Sequence, residues 1–90
     1  MPRYLVERTF PDGLAISMTN EGAKACQGVI AINAEDGVTW VHSYVTSDGR
    51  RSYCIVDGPS PEALRVAART HGLPVDRITE VRVLDPYALA

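Results

Sequence analysis

The stretch VTWVHSYVTSDGRRSYCIVD, residues 38–57, decides the fold, because two β-rich runs meet at Asp48-Gly49. Asp-Gly between such runs is a strong hairpin signal, since both central residues of a type I′ turn take positive φ. With Asp48 and Gly49 as the loop, Ser47 pairs with Arg50, Tyr44 with Tyr53, His42 with Ile55 and Trp40 with Asp57. Directly paired residues share a face and side chains alternate along a strand. One face is therefore expected to carry Trp40, His42, Tyr44, Tyr53, Ile55 and Asp57. The other carries Val41, Ser43, Val45, Ser52, Cys54 and Val56, small and aliphatic enough for helices to pack closely. A slip of one residue in either strand would exchange these sets.

Outward from the hairpin, Arg3 to Phe10 reads as a first strand, closed by the turn residues Pro11-Asp12-Gly13. Between Thr19 and Ala34 the period becomes helical, with Ala23, Cys26 and Ile30 on one stripe. Ser60 is a good N-cap, Pro61 at the first helical position needs no hydrogen-bonded N–H, and Glu62 suits the positive end of the dipole. Leu64, Ala67, Ala68 and His71 mark the inner side of this helix, and Gly72 stops it. Ile78 to Leu84 alternates as a last strand. The order βαββαβ is that of a ferredoxin-like α+β sandwich, one domain over residues 1–90, with a four-stranded antiparallel sheet ordered 4-1-3-2 and two helices on one face. The other face is left bare. A contiguous apolar patch is rarely left to water, so a homodimer through the open sheet face is expected.

A chain of 90 residues buries only roughly 60–65% of the surface its unfolded form exposes, and association would add to a thin margin. The net charge of −2 has no basic stripe behind it, which argues against nucleic acid as a partner. The N-terminal residues hold no apolar signal core, and no segment reaches the roughly 20 apolar residues that span a bilayer. A cytoplasmic protein without membrane attachment is the expectation. Cys26 and Cys54 lack Cys-x-x-Cys spacing and read as buried thiols acting as small hydrophobes. There is no phosphate-cradling Gly-rich loop and no Gly-x-Ser-x-Gly elbow.

His42 is the leading chemical candidate. It stands mid-strand among aromatics with Asp57 diagonally across the hairpin, so a carboxylate can orient the imidazole. The same placement suits a hydrogen-bonded interface residue. Glu7 and Glu80 fall on neighbouring strands. With His42 and Asp57 they make a mixed nitrogen and oxygen set suited to a borderline divalent ion such as nickel or zinc. Taken singly, each carboxylate also reads as solvated or paired with Arg8, Arg51 or Arg82. His71 belongs to a helix C-terminus, where a cation is favoured by the dipole. A zinc site from Cys26, Cys54, His42 and His71 is disfavoured, because His42 and Cys54 leave the hairpin on opposite sides.

Residues 1–11 (MPRYLVERTFP), 38–45 (VTWVHSYV), 53–65 (YCIVDGPSPEALR) and 71–87 (HGLPVDRITEVRVLDPY) resemble a bacterial family of small proteins, formerly a domain of unknown function, whose members are named for nickel binding. The resemblance implies a ferredoxin-like subunit and a dimer holding divalent nickel for sequestration or tolerance of the metal. His42 lies inside the matching WVHSYV segment. Where relatives commonly have Asn before Gly-Leu-Pro this chain has His71, so His71 is not an inherited ligand. The principal reading is a nickel-binding, non-enzymatic dimer with His42, Asp57, Glu80 and Glu7 as donors. The alternative is a small dimeric α+β barrel-type enzyme with a hydrophobic pocket, His42 moving protons beside Tyr44 and Tyr53. A plain dimerising module is the third.

Overall fold

In a computed structural model, which describes residues 1–14 and 37–88, the chain forms a four-stranded sheet with one helix on one of its faces. The strands are β1 (Arg3–Thr9), β2 (Thr39–Val45), β3 (Arg51–Asp57) and β4 (Arg77–Val81), and the helix α1 is Pro61–Thr70. They lie in the order β2-β3-β1-β4, with every neighbouring pair antiparallel. β1 ends one residue earlier than its pattern suggested. β4 ends three earlier, leaving Val83 and Leu84 outside the sheet. The helix expected over 19–34, and Cys26 with it, lies outside the described residues.

The hairpin keeps its expected register from Val45–Ser52 through Tyr44–Tyr53 to His42–Ile55. Its turn is built differently. Gly49 N–H donates to the Thr46 carbonyl at 2.8 Å, and Thr46 N–H to that of Arg51 at 2.9 Å. Gly49 alone in this turn takes the left-handed region, at φ +71°, so Asp48 keeps a negative φ and the turn is not type I′. Asp48 instead accepts from the Thr46 hydroxyl at 2.7 Å and from Arg50 N–H at 3.0 Å. These bonds, the Thr46 hydroxyl first, hold its carboxyl below its ordinary value.

One expectation fails beyond His42. A β-bulge at Val41 changes the register, so Trp40 pairs with Val56 and Thr39 with Asp57. The extra residue turns Trp40 away from the open face and packs it against the core. The Trp40 indole N–H donates to Ser43 Oγ at 2.8 Å. Residues three apart share a face of a strand only when an odd residue is inserted between them, so this bond and the bulge depend on each other. An indole at the core gains both apolar cover and a partner for its N–H. Val41 itself is exposed.

The core lies between sheet and helix. Tyr4, Val6 and Val56 from the sheet meet Leu64 and Ala67 from α1, with Val38 at the margin. The inner stripe of α1 is the expected one, with Leu64, Ala67 and Ala68 buried. Ser60 Oγ accepts from Ala63 N–H at 3.2 Å. At the other end Gly72, φ +65°, closes a Schellman motif in which Gly72 N–H bonds to Arg69 O and Leu73 N–H to Ala68 O at 2.9 Å. Replacing Leu64 by Ala removes the largest buried side chain that the helix gives to the core. Urea unfolding should show a loss of about 2–5 kcal/mol, and a loss below about 1 kcal/mol would mean that the helix does not depend on this contact.

Candidate functional site

The strand registers sort the side chains of the open face into rows. His42 lies beside Ile55, then Leu5, then Thr79. Tyr44 lies beside Tyr53, then Glu7, then Arg77. Thr39 lies beside Asp57, then Arg3, then Val81. The centre of the face is thus aliphatic, one edge aromatic and the rest charged in opposite-sign pairs. The His42 and Tyr44 rings meet edge to face, 5.2 Å apart at 87°, a favourable aromatic geometry. The Arg51 guanidinium stands 5.8 Å from the Tyr53 ring centre, within cation–π range. Tyr44 remains 64% exposed.

Three of the four expected metal donors share this face and do not converge. His42 is exposed on β2 and Glu7 stands two strands away on β1. Asp57 is the diagonal neighbour of His42, but its carboxylate is held from the far side by Arg3. Arg3 Nε reaches Oδ1 at 2.7 Å and Nη2 reaches Oδ2 at 3.1 Å. This two-pronged bond, with the Arg3 charge behind it, keeps the Asp57 carboxyl below its ordinary value and raises Arg3. Glu80 is on the other face. It pairs with Tyr4, whose ring is in the core, and its charge helps to raise the Tyr4 hydroxyl, after burial and ahead of Glu62. Among the described residues, no group of three or more His, Cys, Asp or Glu side chains could hold a metal ion. His42 is the one imidazole the open face offers, and Glu7 and Asp57 are carboxylates within the same face. Among the described residues, the donors of one copy do not make a closed site.

Arg3 and Leu5 are among the residues of this face that the sequence reading passed over. The signal for them is the alternation along β1, which buries Tyr4, Val6 and Arg8 and turns Arg3, Leu5, Glu7 and Thr9 outward. The opposite face carries a groove of about 470 Å³ whose lining includes Val6, Trp40, Cys54, Val56, Leu64 and His71. His42 faces away from this groove and lines no part of it. Tyr44 and Tyr53, the other residues of the enzyme reading, stand with His42 on the open face. No helix among the described residues is long and apolar enough to cross a membrane.

Residues 4–81 match the family model described as "Nickel responsive protein SCO4226-like". The chain belongs to that family. Its fold is similar to the crystal structure of SCO4226 from Streptomyces coelicolor A3(2), with a TM-score of 0.72 and 21% identity over 92% of this chain and 99% of that one. A comparison with curated proteins gave no match. The nickel-responsive family and the small α+β fold agree with the resemblance drawn from the sequence.

The Arg3–Asp57 pair makes a pH-dependent prediction. A carboxyl whose folded value lies below its unfolded one, about 3.9 for Asp, stabilises the fold above that pH and loses the effect as pH falls through the folded value. Asp57→Asn should therefore lower the thermal midpoint at pH 7, with the gap to the parent narrowing below about pH 4. An equal gap at pH 7 and at about pH 2.5 would show that the pair contributes nothing through charge.

Proposed function

We propose that the protein binds nickel as a homodimer joined through its open sheet face, with His42 as the imidazole donor, for sequestration or tolerance of the metal. The membership of the chain in a nickel-responsive family carries the reading. The exposed His42 on a face rich in aromatic and carboxylate side chains supports it. Neutral imidazole and carboxylate oxygen suit a borderline ion of this kind. The proposal includes the ferredoxin-like arrangement, which the strand order and the likeness to SCO4226 support.

Among the described residues one copy offers too few converging donors, so the reading calls on a second copy. Joining two open faces brings a second His42, Glu7 and Asp57 to the same seam. Of the four expected donors, Glu80 contributes least, because it lies on the opposite face. Asp57 would have to exchange its bond with Arg3 for the metal. Glu7 stands opposite Arg77 in the ladder.

Calorimetry with nickel(II) on protein purified without a histidine tag tests the proposal. Binding at neutral pH is expected, weakened about tenfold or more when His42→Ala removes a ligand. Affinity should also fall on acidification, because the proton and the metal compete for one lone pair. Absence of any nickel-dependent heat, or an unchanged affinity in His42→Ala, would overturn it.

A further inference from the structure

Arg8 leaves β1 on the helix side of the sheet and is only 9% exposed. Its Nη1 donates to the Pro74 carbonyl at 2.8 Å, which fixes the direction of the side chain and brings no counter-charge. Among the described residues no carboxylate pairs with it. A guanidinium has five N–H donors, and a buried charge is ordinarily paired. Ser52 stands opposite Arg8 in the β1–β3 ladder and is 3% exposed. Among the described residues its hydroxyl meets only the Cys54 thiol, at 3.7 Å, a weak partner. Two buried polar side chains with bonding capacity to spare therefore lie side by side, and both line the groove of about 470 Å³.

We propose that this groove binds an apolar monocarboxylate of medium chain length, its carboxylate on the Arg8 guanidinium and the Ser52 hydroxyl and its tail along Cys54, Val56 and Trp40. The site is on the opposite face from His42 and stands independently of the nickel reading. Its size falls within the roughly 300–1,000 Å³ of pockets that take small ligands. The polar end is one row of the sheet, Arg8 beside Ser52. The next row is Val6 beside Cys54, and the one after it holds Val56 beside Trp40. From Ser52 to Val56 the strand rises about 13 Å, the length of an extended medium-chain carboxylate. Among the described residues the lining contains no Asp or Glu, so an anion meets a cation and no charge of its own sign. Guanidinium and carboxylate match in two parallel bonds, and apolar walls strengthen the pair by keeping water away. A neutral ligand would cover the guanidinium without pairing it. A phosphate group would bring a second negative charge that one arginine does not balance.

Calorimetry of the tag-free full chain with decanoate and with decanol, both below their aggregation limits, tests the proposal. Decanoate should bind, and decanol should bind about thirtyfold more weakly or worse, as happens when a buried charge is left without its partner. Arg8→Met keeps an unbranched stem and removes the charge. It should weaken decanoate by a similar factor and leave decanol nearly as before. Trp40 is the chain's one tryptophan, so decanoate with a bromine at its tail end should quench the intrinsic tryptophan emission while decanoate itself does not. If Arg8→Met loses the parent far-UV circular dichroism, the comparison of acid with alcohol on the parent chain decides alone. No binding of decanoate, the result expected if another part of the chain fills the groove, would overturn the proposal. Equal affinity for acid and alcohol, unchanged decanoate affinity in a folded Arg8→Met, or no quenching by the brominated tail would overturn it as well.

Discussion

The odd residue at Val41 resets the phase of β2, and the character of both sheet faces depends on it. A strand alternates with a period of two, so without the bulge an outward His42 would carry Trp40 outward with it. Inserting one residue lets the two rings part. The indole goes to the core, where Ser43 satisfies its N–H. The imidazole stays in the open beside Tyr44. A large apolar ring is thereby removed from a surface that would otherwise be dominated by it, and the one histidine of that surface becomes accessible.

The charged half of the open face follows the same logic of pairing. Arg3 and Asp57 are neighbours across the β1–β3 ladder, as are Glu7 and Arg77 across β1–β4. Pairs of this kind keep a sheet face soluble when single and complementary when doubled, and they contribute little stability of their own while exposed. They also set a threshold for chemistry. A metal that recruits Asp57 must draw it from Arg3, whereas the row of His42 holds Ile55, Leu5 and Thr79. In the proposed reading the imidazole is for this reason the first donor, and Asp57 follows only when a second copy or the ion itself offsets the loss of its bond to Arg3.

Much of this was legible in the residues. Asp48-Gly49 set the register of the hairpin as far as His42–Ile55, although the turn used only glycine's positive φ. Ser60, Pro61 and Gly72 bounded α1, since capping is a local contract between side chain and backbone. The bulge was not legible, because Trp40-Val41 is an apolar pair that fits either phase. The Arg3–Asp57 bond links residues 54 apart, and nothing local announces such a partner. The side taken by Glu80 could have been read. Ile78 belongs to the core face, and a period of two carries Glu80 with it. The set of four donors failed to close because ladder position, not residue type, decides which carboxylates meet.

The central proposal is that His42, on the open face of β2 from which the bulge removes Trp40, is the group that meets the metal. The chain has two histidines, so the side-chain proton resonances of His42 and His71 can be followed separately while nickel(II) is added. Selective shift and broadening of the His42 ring protons, with those of His71 unchanged at the same nickel concentration, is the result this account predicts. A response confined to His71, or equal in both rings, would contradict it.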